Sequence, residues 1–125
     1  MKLIVFISHR LTEEQIEDAR TTLGVQEIIE MPKELKQRFS AVPPELEDLS
    51  EYAKPFVSFL FEVGNPGDYA MIQGEFGLVY RLVEAARVIG VVLLYSTTER
   101  IVHEEEKDGE IVKISQFRHV RFRRF

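Results

Sequence analysis

Hydrophobic and polar residues follow two different periods along this chain, and the alternation between them predicts an α/β fold. Two short runs, Lys2–Ile7 and Asp68–Gln73, are mostly apolar, as are strands that a sheet buries on both faces. Val91–Tyr95 is a run of five apolar residues and predicts a third strand of this kind. Val25–Glu30 alternates sufficiently to favour a strand nearer the edge of the sheet.

Segments with helical periodicity separate these strands. The capping-box residues Thr12 and Gln15 predict the start of a helix that extends to about Leu23. A second helix is predicted from Gly77 onward, because apolar residues recur at spacings of three and four, and Gly90 ends it. Its apolar positions are Leu78, Leu82, Ala85, Ala86 and Ile89.

The segment between residues 31 and 63 has three prolines in its first part and an amphipathic second part. A short helix is predicted over Lys33–Phe39, followed by an irregular bend. A longer helix comes next, in which Pro55 is expected to introduce a kink or to delay the start. Its apolar stripe is typical of core packing rather than of a cofactor site. The stripe consists of Leu49, Tyr52, Phe56, Phe59, Leu60 and Val63.

The end of the chain predicts an antiparallel hairpin. Lys107-Asp108-Gly109 separates two β-patterned runs, Glu99–Glu106 and Glu110–Phe117, and Asp-Gly is a strong local signal for a tight turn. Ser96-Thr97-Thr98 is predicted to be a polar turn before this hairpin. Phe117–Phe125 continues as an extended, arginine-rich tail that pairs either with a sheet edge or with a second subunit.

These elements together predict a Rossmann-like α/β fold. The expected sheet is open and mostly parallel, with helices on both faces, right-handed crossovers and a C-terminal antiparallel hairpin. We expect residues 1–125 to form a single domain, because a chain of this length is large enough for one core and too small for two. The working hypothesis for the parallel strands is the order 2-1-3-4.

The composition indicates the cellular environment in which the protein is expected to work. The chain is 45% hydrophobic and 30% charged, as ordinary globular domains are, and it contains no cysteine, which excludes disulfides and thiolate metal sites. No apolar run approaches the length of a membrane span and no signal peptide begins the chain. We therefore expect a cytoplasmic protein without a membrane partner.

Charge is divided unevenly along the chain. Residues 1 to 110 hold all 21 acidic residues and 11 of the 16 basic ones, a balance of -10, whereas residues 111 to 125 carry +5. This favours a local anionic partner at the end of the chain; the alternative is a terminal strand neutralised by the acidic body. The basic residues concerned are Lys113, Arg118, Arg121, Arg123 and Arg124.

Polar segments follow the carboxyl ends of the predicted parallel strands, where an open α/β sheet binds its ligands. They are Ser8-His9-Arg10, Gln73–Gly77 and Ser96-Thr97-Thr98. With the order 2-1-3-4, the first two lie on either side of the point where strand order reverses. Histidine can act as a general acid or base near neutral pH and arginine can hold a phosphate, so His9 and Arg10 are the first candidates. The alternative is an ordinary surface loop.

The turn Gln73–Gly77 admits two interpretations. Its two glycines let the backbone approach a ligand and expose amides at a helix N-terminus, where a phosphate is favoured. Alternatively, the turn only packs the helix on the strand. Neither standard nucleotide motif is present, because a third glycine and a Walker lysine are missing.

Other candidates have equally plain alternatives. Thr97, Thr98 and Arg100 either contact a ligand or form an ordinary turn, and His119 faces either the ligand or only a sheet edge. No metal site is expected, since the three histidines are far apart in the sequence. The residues support binding of a phosphodiester by amides, hydroxyls, histidine and arginine.

With these residues in view, the sequence resembles a small stand-alone CRISPR-associated family of type III systems, related to the CARF (Rossmann-like) domains that sense cyclic oligoadenylates. The resemblance spans nearly the whole chain. It is carried by short segments in a fixed order: Ser8-His9-Arg10-Leu11-Thr12, Pro43-Pro44-Glu45-Leu46, Gly67-Asp68-Tyr69, Gln73-Gly74-Glu75-Phe76-Gly77, Tyr95-Ser96-Thr97-Thr98 and Phe117-Arg118-His119-Val120-Arg121-Phe122-Arg123.

The resemblance implies a ring nuclease, an antiviral-defence enzyme that cuts cyclic tetra-adenylate and so switches type III signalling off. The implied reaction needs no metal or cofactor, because a ribose 2′-hydroxyl of the ligand attacks its own adjacent phosphate. His9 and Arg10 are the implied catalytic residues, with His9 as base or acid and Arg10 at the phosphate. The implied ligand-binding residues are Ser8, Gln73, Gly74, Glu75, Phe76, Gly77, Thr97, Thr98, Arg100, His119 and Arg121.

The expected ligand also suggests an oligomeric state, and two other functions remain as alternatives. A cyclic ligand of repeating units is most simply held by a symmetric homodimer, and no long nucleic acid is expected. One alternative is a non-catalytic module that binds the cyclic oligoadenylate as a sponge or sensor. Another is a small protein-interaction or RNA-binding domain that uses the arginine-rich tail.

Overall fold

A computed structural model describes residues 1–125 as five strands and four helices. The strands are β1 (Lys2–Phe6), β2 (Glu27–Glu30), β3 (Tyr69–Ile72), β4 (Val92–Lys107) and β5 (Glu110–Arg124). The helices are α1 (Glu13–Thr21), α2 (Lys33–Ser40), α3 (Ser50–Val63) and α4 (Phe76–Ile89).

All five strands form one sheet in the order β2-β1-β3-β4-β5. The first four strands are parallel to their neighbours, and β5 pairs with β4 in the antiparallel sense. The predicted fold class and the order 2-1-3-4 are therefore confirmed. Strand order reverses between β1 and β3, which fixes where a ligand crevice is expected.

The sheet is covered on both faces because side chains of a strand alternate between them. Ile4 and Phe6 of β1 enter the larger core, which α2, α3 and α4 cover. Leu3 and Val5 point to the opposite face and pack beneath α1, where Phe122 of β5 joins them. The aromatic stripe of α3 packs in the larger core, as predicted.

Local signals placed most helix ends correctly. Thr12 and Gln15 form the reciprocal hydrogen bonds of a capping box, and Gly90 ends α4 with φ of 75°. Pro55 lies inside α3, which begins at Ser50 and continues to Val63, so the expected delay of the helix start is wrong.

The largest difference from the sequence prediction lies in β4. Ser96-Thr97-Thr98 is not a turn: β4 continues through these residues to Lys107, paired with β5 along its length. The ladder has one irregularity, a β-bulge between Thr97 and Thr98. A polar sequence is tolerated because the buried Ser96 hydroxyl has a hydrogen-bond partner, whereas Thr98 and most of the residues after it are exposed.

The Asp-Gly hairpin is confirmed, with positive φ at both Asp108 and Gly109. We call residues 99–118 the arm. The arginine-rich tail pairs with β4 of its own chain, which is the sheet-edge alternative of the two expected.

Candidate functional site

The pairing registers place three polar segments at one end of the sheet, which we call the rim. Phe6 is paired with Ile72, and Met71 with Leu94. Ser8 lies two residues beyond β1 and Gly74 two residues beyond β3, and both line one crevice. Thr97, three residues beyond the last residue of β4 that pairs with β3, is paired with Arg121 of β5. The rim therefore carries Ser8 and Gly74 at the crevice and Thr97 and Arg121 on the neighbouring β4–β5 ladder.

A crevice of about 280 Å³ lies where the strand order reverses. It is lined by Ser8, Phe39, Ser40, Val42, Gly74 and Glu75. A Cβ atom at Gly74 would lie 2.6 Å from the Phe39 ring, and one at Gly77 would lie 2.7 Å from Leu49. The Phe39 ring is buried, so Gly74 is required for packing, which supports the packing interpretation of the turn. The atom met at Gly77 is a terminal methyl group of Leu49, which can shift.

Glu75 occupies the N-terminus of α4. Its carboxylate accepts a hydrogen bond from the Gly77 amide, so the end of the helix already has a negatively charged cap. The expected phosphate contact with this amide is thus replaced by a contact within the chain.

His9 and Arg10 follow β1 directly and are exposed. The His9 Nδ1 atom lies 2.9 Å from the Arg10 carbonyl oxygen. Because a carbonyl oxygen only accepts, this contact places a proton on Nδ1 and, in the neutral ring, leaves the Nε2 lone pair directed away from the contact. His9 therefore presents a free proton acceptor at the rim.

Phe76, the first residue of α4, has 92% of its surface exposed. Such an aromatic side chain can stack on a nucleobase. Gln73, three residues before it in the chain, is half-buried, and Thr98 is exposed. The Thr97 hydroxyl exchanges hydrogen bonds with the Arg121 backbone, at 2.9 Å to its oxygen and 3.3 Å from its nitrogen. Thr97 therefore holds β5 at the rim.

His119 is not brought to the rim, contrary to its expected contact with a ligand. Its side chain is only 4% exposed. Nε2 donates to Asp18 at 2.8 Å, and Nδ1 lies 2.5 Å from the Ser96 hydroxyl, which donates to the neutral ring. Both ring nitrogens are thus occupied, and we call Asp18, His119 and Ser96 the clamp.

The clamp lowers the pKa of the Asp18 carboxyl group. Burial alone would raise the pKa of Asp18, but hydrogen bonds from Thr22 and His119 and the charge that His119 can carry hold the pKa below its ordinary value. Ser96 is buried in this arrangement. The three side chains therefore connect α1 to the point where β4 and β5 leave the body.

The β-bulge explains how His119 reaches α1. Without an extra residue, His119 and Phe122 would point to opposite faces of β5, since three positions separate them. Thr97 pairs with Arg121 and Thr98 with His119, which leaves Val120 as the extra residue. Both rings then face α1, with centroids 4.7 Å apart.

Arg100 also lies away from the rim. It is on the arm, where its guanidinium donates to Ser115 Oγ at 3.1 and 2.8 Å. Two basic residues of β5 have partners within the chain: Arg118 lies 3.5 Å from Glu14, and Arg123 lies over the Tyr95 ring. Because Glu14 is acidic, the alternative that the acidic body neutralises this strand holds for Arg118.

Sequence reasoning missed Asp18 as a structural partner of His119. The available signal was its position: Asp18 lies on α1 between the buried residues Gln15 and Ala19. A carboxylate on the inward side of a helix needs a partner. The partner lies 101 residues away in the sequence, so no local pattern could have identified it.

A larger cleft of about 520 Å³ lies beside the rim, between α4 and the segment 42–49. It presents the carboxylates of Glu47, Asp48 and Glu75, and its arginine, Arg81, lies 3.5 Å from Asp48. Because the cleft carries more negative than positive side chains, it disfavours a polyanionic ligand. No helix of the structure has the length and apolarity needed to cross a membrane.

Comparison with known proteins gives a family for the chain. The model of the uncharacterized protein MJ1673 family matches residues 1–123. The uncharacterized protein MJ1673 of Methanocaldococcus jannaschii is 44% identical over 124 residues, which cover 99% of this chain and 96% of that protein. No solved structure matches.

Proposed function

Because the chain belongs to the MJ1673 family, whose name carries no activity, we propose a function from the rim itself: the protein binds a cyclic oligoadenylate and linearises it without a metal ion. The ligand that fits the proposal best is cyclic tetra-adenylate. The observation that supports it is that Ser8 and Gly74 share a crevice at the rim, with Thr97 and Arg121 on the neighbouring β4–β5 ladder and His9 and Arg10 in the loop after Ser8. The resemblance to CRISPR-associated proteins of type III systems supports the same ligand class.

The proposed reaction is an internal phosphoryl transfer. The 2′-oxygen of a ribose attacks the adjacent phosphorus, the bond from phosphorus to the 5′-oxygen breaks, and a 2′,3′-cyclic phosphate remains. His9 Nε2 takes the proton of the 2′-hydroxyl, and the leaving 5′-oxygen takes a proton from solvent. Arg10 and Arg121 bind the phosphate whose charge develops in the transition state.

Recognition of the base falls to neighbouring side chains. Phe76 stacks on an adenine, which suits its almost complete exposure. Gln73 and Thr98 hydrogen-bond adenine or ribose, and Ser8 hydrogen-bonds the phosphate. These contacts differ from the sequence-based set, since the α4 amide is capped by Glu75 and the His119 ring is buried.

We propose that the protein acts as a homodimer in the cytoplasm, where it would end type III CRISPR signalling. A two-fold axis is the simplest match to a cyclic ligand with repeating units.

The test is a turnover assay in EDTA with products resolved by liquid chromatography. The expected product is linear oligoadenylate with a 2′,3′-cyclic phosphate. His9→Ala should lower the cleavage rate by about 100- to 10,000-fold, the usual contribution of a general base, and leave binding in place. The matched control is His103→Ala, an exposed histidine on the arm.

The outcomes separate the candidate functions. Intact ring recovered from a tight complex would replace the nuclease with a binding module. Unaltered cleavage by His9→Ala would contradict the role of His9. Absence of binding would contradict the whole proposal and leave the arginine-rich strand as a candidate surface for another partner.

A further inference from the structure

The arm is the least covered part of the molecule. Nine residue pairs, from Glu99 and Arg118 to Lys107 and Glu110, extend it by about 30 Å at 3.4 Å per residue. Two-stranded ribbons are marginally stable on their own in water. A surface that stabilises the arm is therefore expected, and nothing within the chain supplies it along most of its length.

One face of the arm carries exposed apolar side chains. The register places the pairs Arg100 with Phe117, Val102 with Ser115, Glu104 with Lys113 and Glu106 with Ile111 on the same face. Phe117 is 71% exposed, Ile111 is 72% exposed and Val102 is 51% exposed. The hydrogen bonds to Ser115 hold the Arg100 guanidinium over this face. We call it the contact face.

Charge is separated along the arm. Between residues 104 and 110, at the tip, five acidic residues accompany one lysine. At the root of the arm two arginines, Arg100 and Arg118, accompany Glu99 as the acidic residue, and Arg121, Arg123 and Arg124 follow on β5 outside the arm. On the contact face, this separation leaves Arg100 at the root and Glu104 and Glu106 towards the tip. A second copy of this arm, placed in the reverse direction, presents the opposite order of charges and is therefore a complementary partner.

We propose that the contact face binds the contact face of a second copy of this chain, with the two arms antiparallel about a two-fold axis. The axis passes midway along the arm, so the acidic tip of each subunit lies against the arginine-rich root of the other. Arg100 then faces Glu106 of the partner subunit, and Phe117 packs on Ile111 of the partner subunit. The inference gives the proposed homodimer a surface and does not depend on nuclease activity.

Charge reversal on the contact face tests the register. Size-exclusion chromatography with light scattering should give the unaltered protein twice the 14.5 kDa mass of one chain. Arg100→Glu and Glu106→Arg, each alone, place like charges together twice per dimer and should raise the dimer dissociation constant by about 100-fold or more. The double variant R100E/E106R exchanges the charges and should restore the dimer. Arg87→Glu, an exposed reversal on α4, is the control and should remain dimeric.

A shortened arm tests the surface independently. Replacing residues 102–115 by Asn-Gly joins the facing pair Ile101 and Gln116 through a two-residue turn, and this pair has the same place in the alternating hydrogen-bond pattern as the natural pair Lys107 and Glu110. The product should be monomeric with a cooperative unfolding transition; if it does not fold, the reversal series decides alone. A monomeric unaltered protein, a dimer that survives arm removal or single reversal, or a double variant that stays monomeric would each overturn the proposal, whatever the result of the cleavage assay.

Discussion

Replacing Asp18 by asparagine should weaken the clamp without changing its shape. The asparagine oxygen can still accept from His119 Nε2, and its amide can donate to the Thr22 hydroxyl, which now donates to Asp18 at 2.6 Å. The substitution therefore removes the negative charge while the hydrogen-bond geometry remains. Any loss of stability reports on the charge and not on a cavity.

The magnitude follows from the bonds that change. Hydrogen bonds to a charged group contribute about 1.5–3 kcal/mol and neutral ones about 0.5–1.5 kcal/mol. The Asp18 side chain is 22% exposed, so solvent screens it only in part. We expect Asp18→Asn to lower the free energy of unfolding by about 1.5 kcal/mol at pH 7, which is about 5 °C in melting temperature for a chain of this size.

The Asp18 carboxylate should also make the stability of the protein depend on pH, and the direction of that dependence follows from its pKa. The pKa of Asp18 is lower in the folded protein than its ordinary value of 3.8, so its contribution to stability is complete above that range. The contribution is lost as the pH falls through the folded pKa. Histidines of the unfolded chain stay protonated between pH 5 and pH 3. The stability difference between the two proteins should therefore be smaller at pH 3 than at pH 5.

Urea unfolding at one fixed protein concentration measures both quantities, because the dimer proposed above would make stability depend on concentration. Glu17→Gln is the matched control, since it removes an exposed carboxylate from the same helix. It should change the free energy of unfolding by less than about 0.5 kcal/mol. The reasoning is refuted if Asp18→Asn costs no more than this control, or if the difference between it and the unaltered protein is as large at pH 3 as at pH 5.

Three further changes test other parts of the structure. Asp68→Ala deprives two backbone amides of a buried acceptor and should cost about 3 kcal/mol in urea unfolding, whereas Glu62→Ala, at an exposed carboxylate of α3, should cost little; equal costs would contradict the account. Gly74→Ala should cost about 1–3 kcal/mol in thermal unfolding through overlap with Phe39, and Phe39→Leu in the same chain should recover part of it; no recovery would contradict the assigned contact. Phe76→Ala should weaken binding of cyclic tetra-adenylate by about 10- to 100-fold at unchanged melting temperature, and unchanged affinity would exclude stacking there.

Local signals were sufficient for most of the fold. Apolar runs identified the parallel strands, the Thr12 capping box identified α1, and Asp108-Gly109 identified the hairpin. Ser96-Thr97-Thr98 was wrongly predicted as a turn because its strand conformation depends on pairing with β5, more than twenty residues away. Propensity in a short window does not contain that partner.

In the candidate site too, some positions could be predicted from the sequence and others could not. Ser8 and Gly74 could be placed together from strand order alone, because the carboxyl ends of parallel strands meet at one edge. The capping role of Glu75 and the burial of His119 depend on where side chains point after folding. A histidine flanked by arginines looks like part of a ligand site in the sequence. The sequence does not show that the carboxylate of a residue 101 positions away accepts a hydrogen bond from its ring.

The clamp connects the two arginines of the proposed site. The loop that carries His9 and Arg10 leads directly into α1, and Asp18 of α1 holds His119, two residues before Arg121. The bulge at Val120 turns His119 towards α1 while the Thr97 hydroxyl holds the Arg121 backbone at the rim. The distance between the Arg10 and Arg121 backbones therefore depends on a buried hydrogen bond that touches neither of them. A mobile Arg121 would bind phosphate less well because it would lose more conformational freedom on binding, so the clamp contributes to the site by positioning rather than by contact.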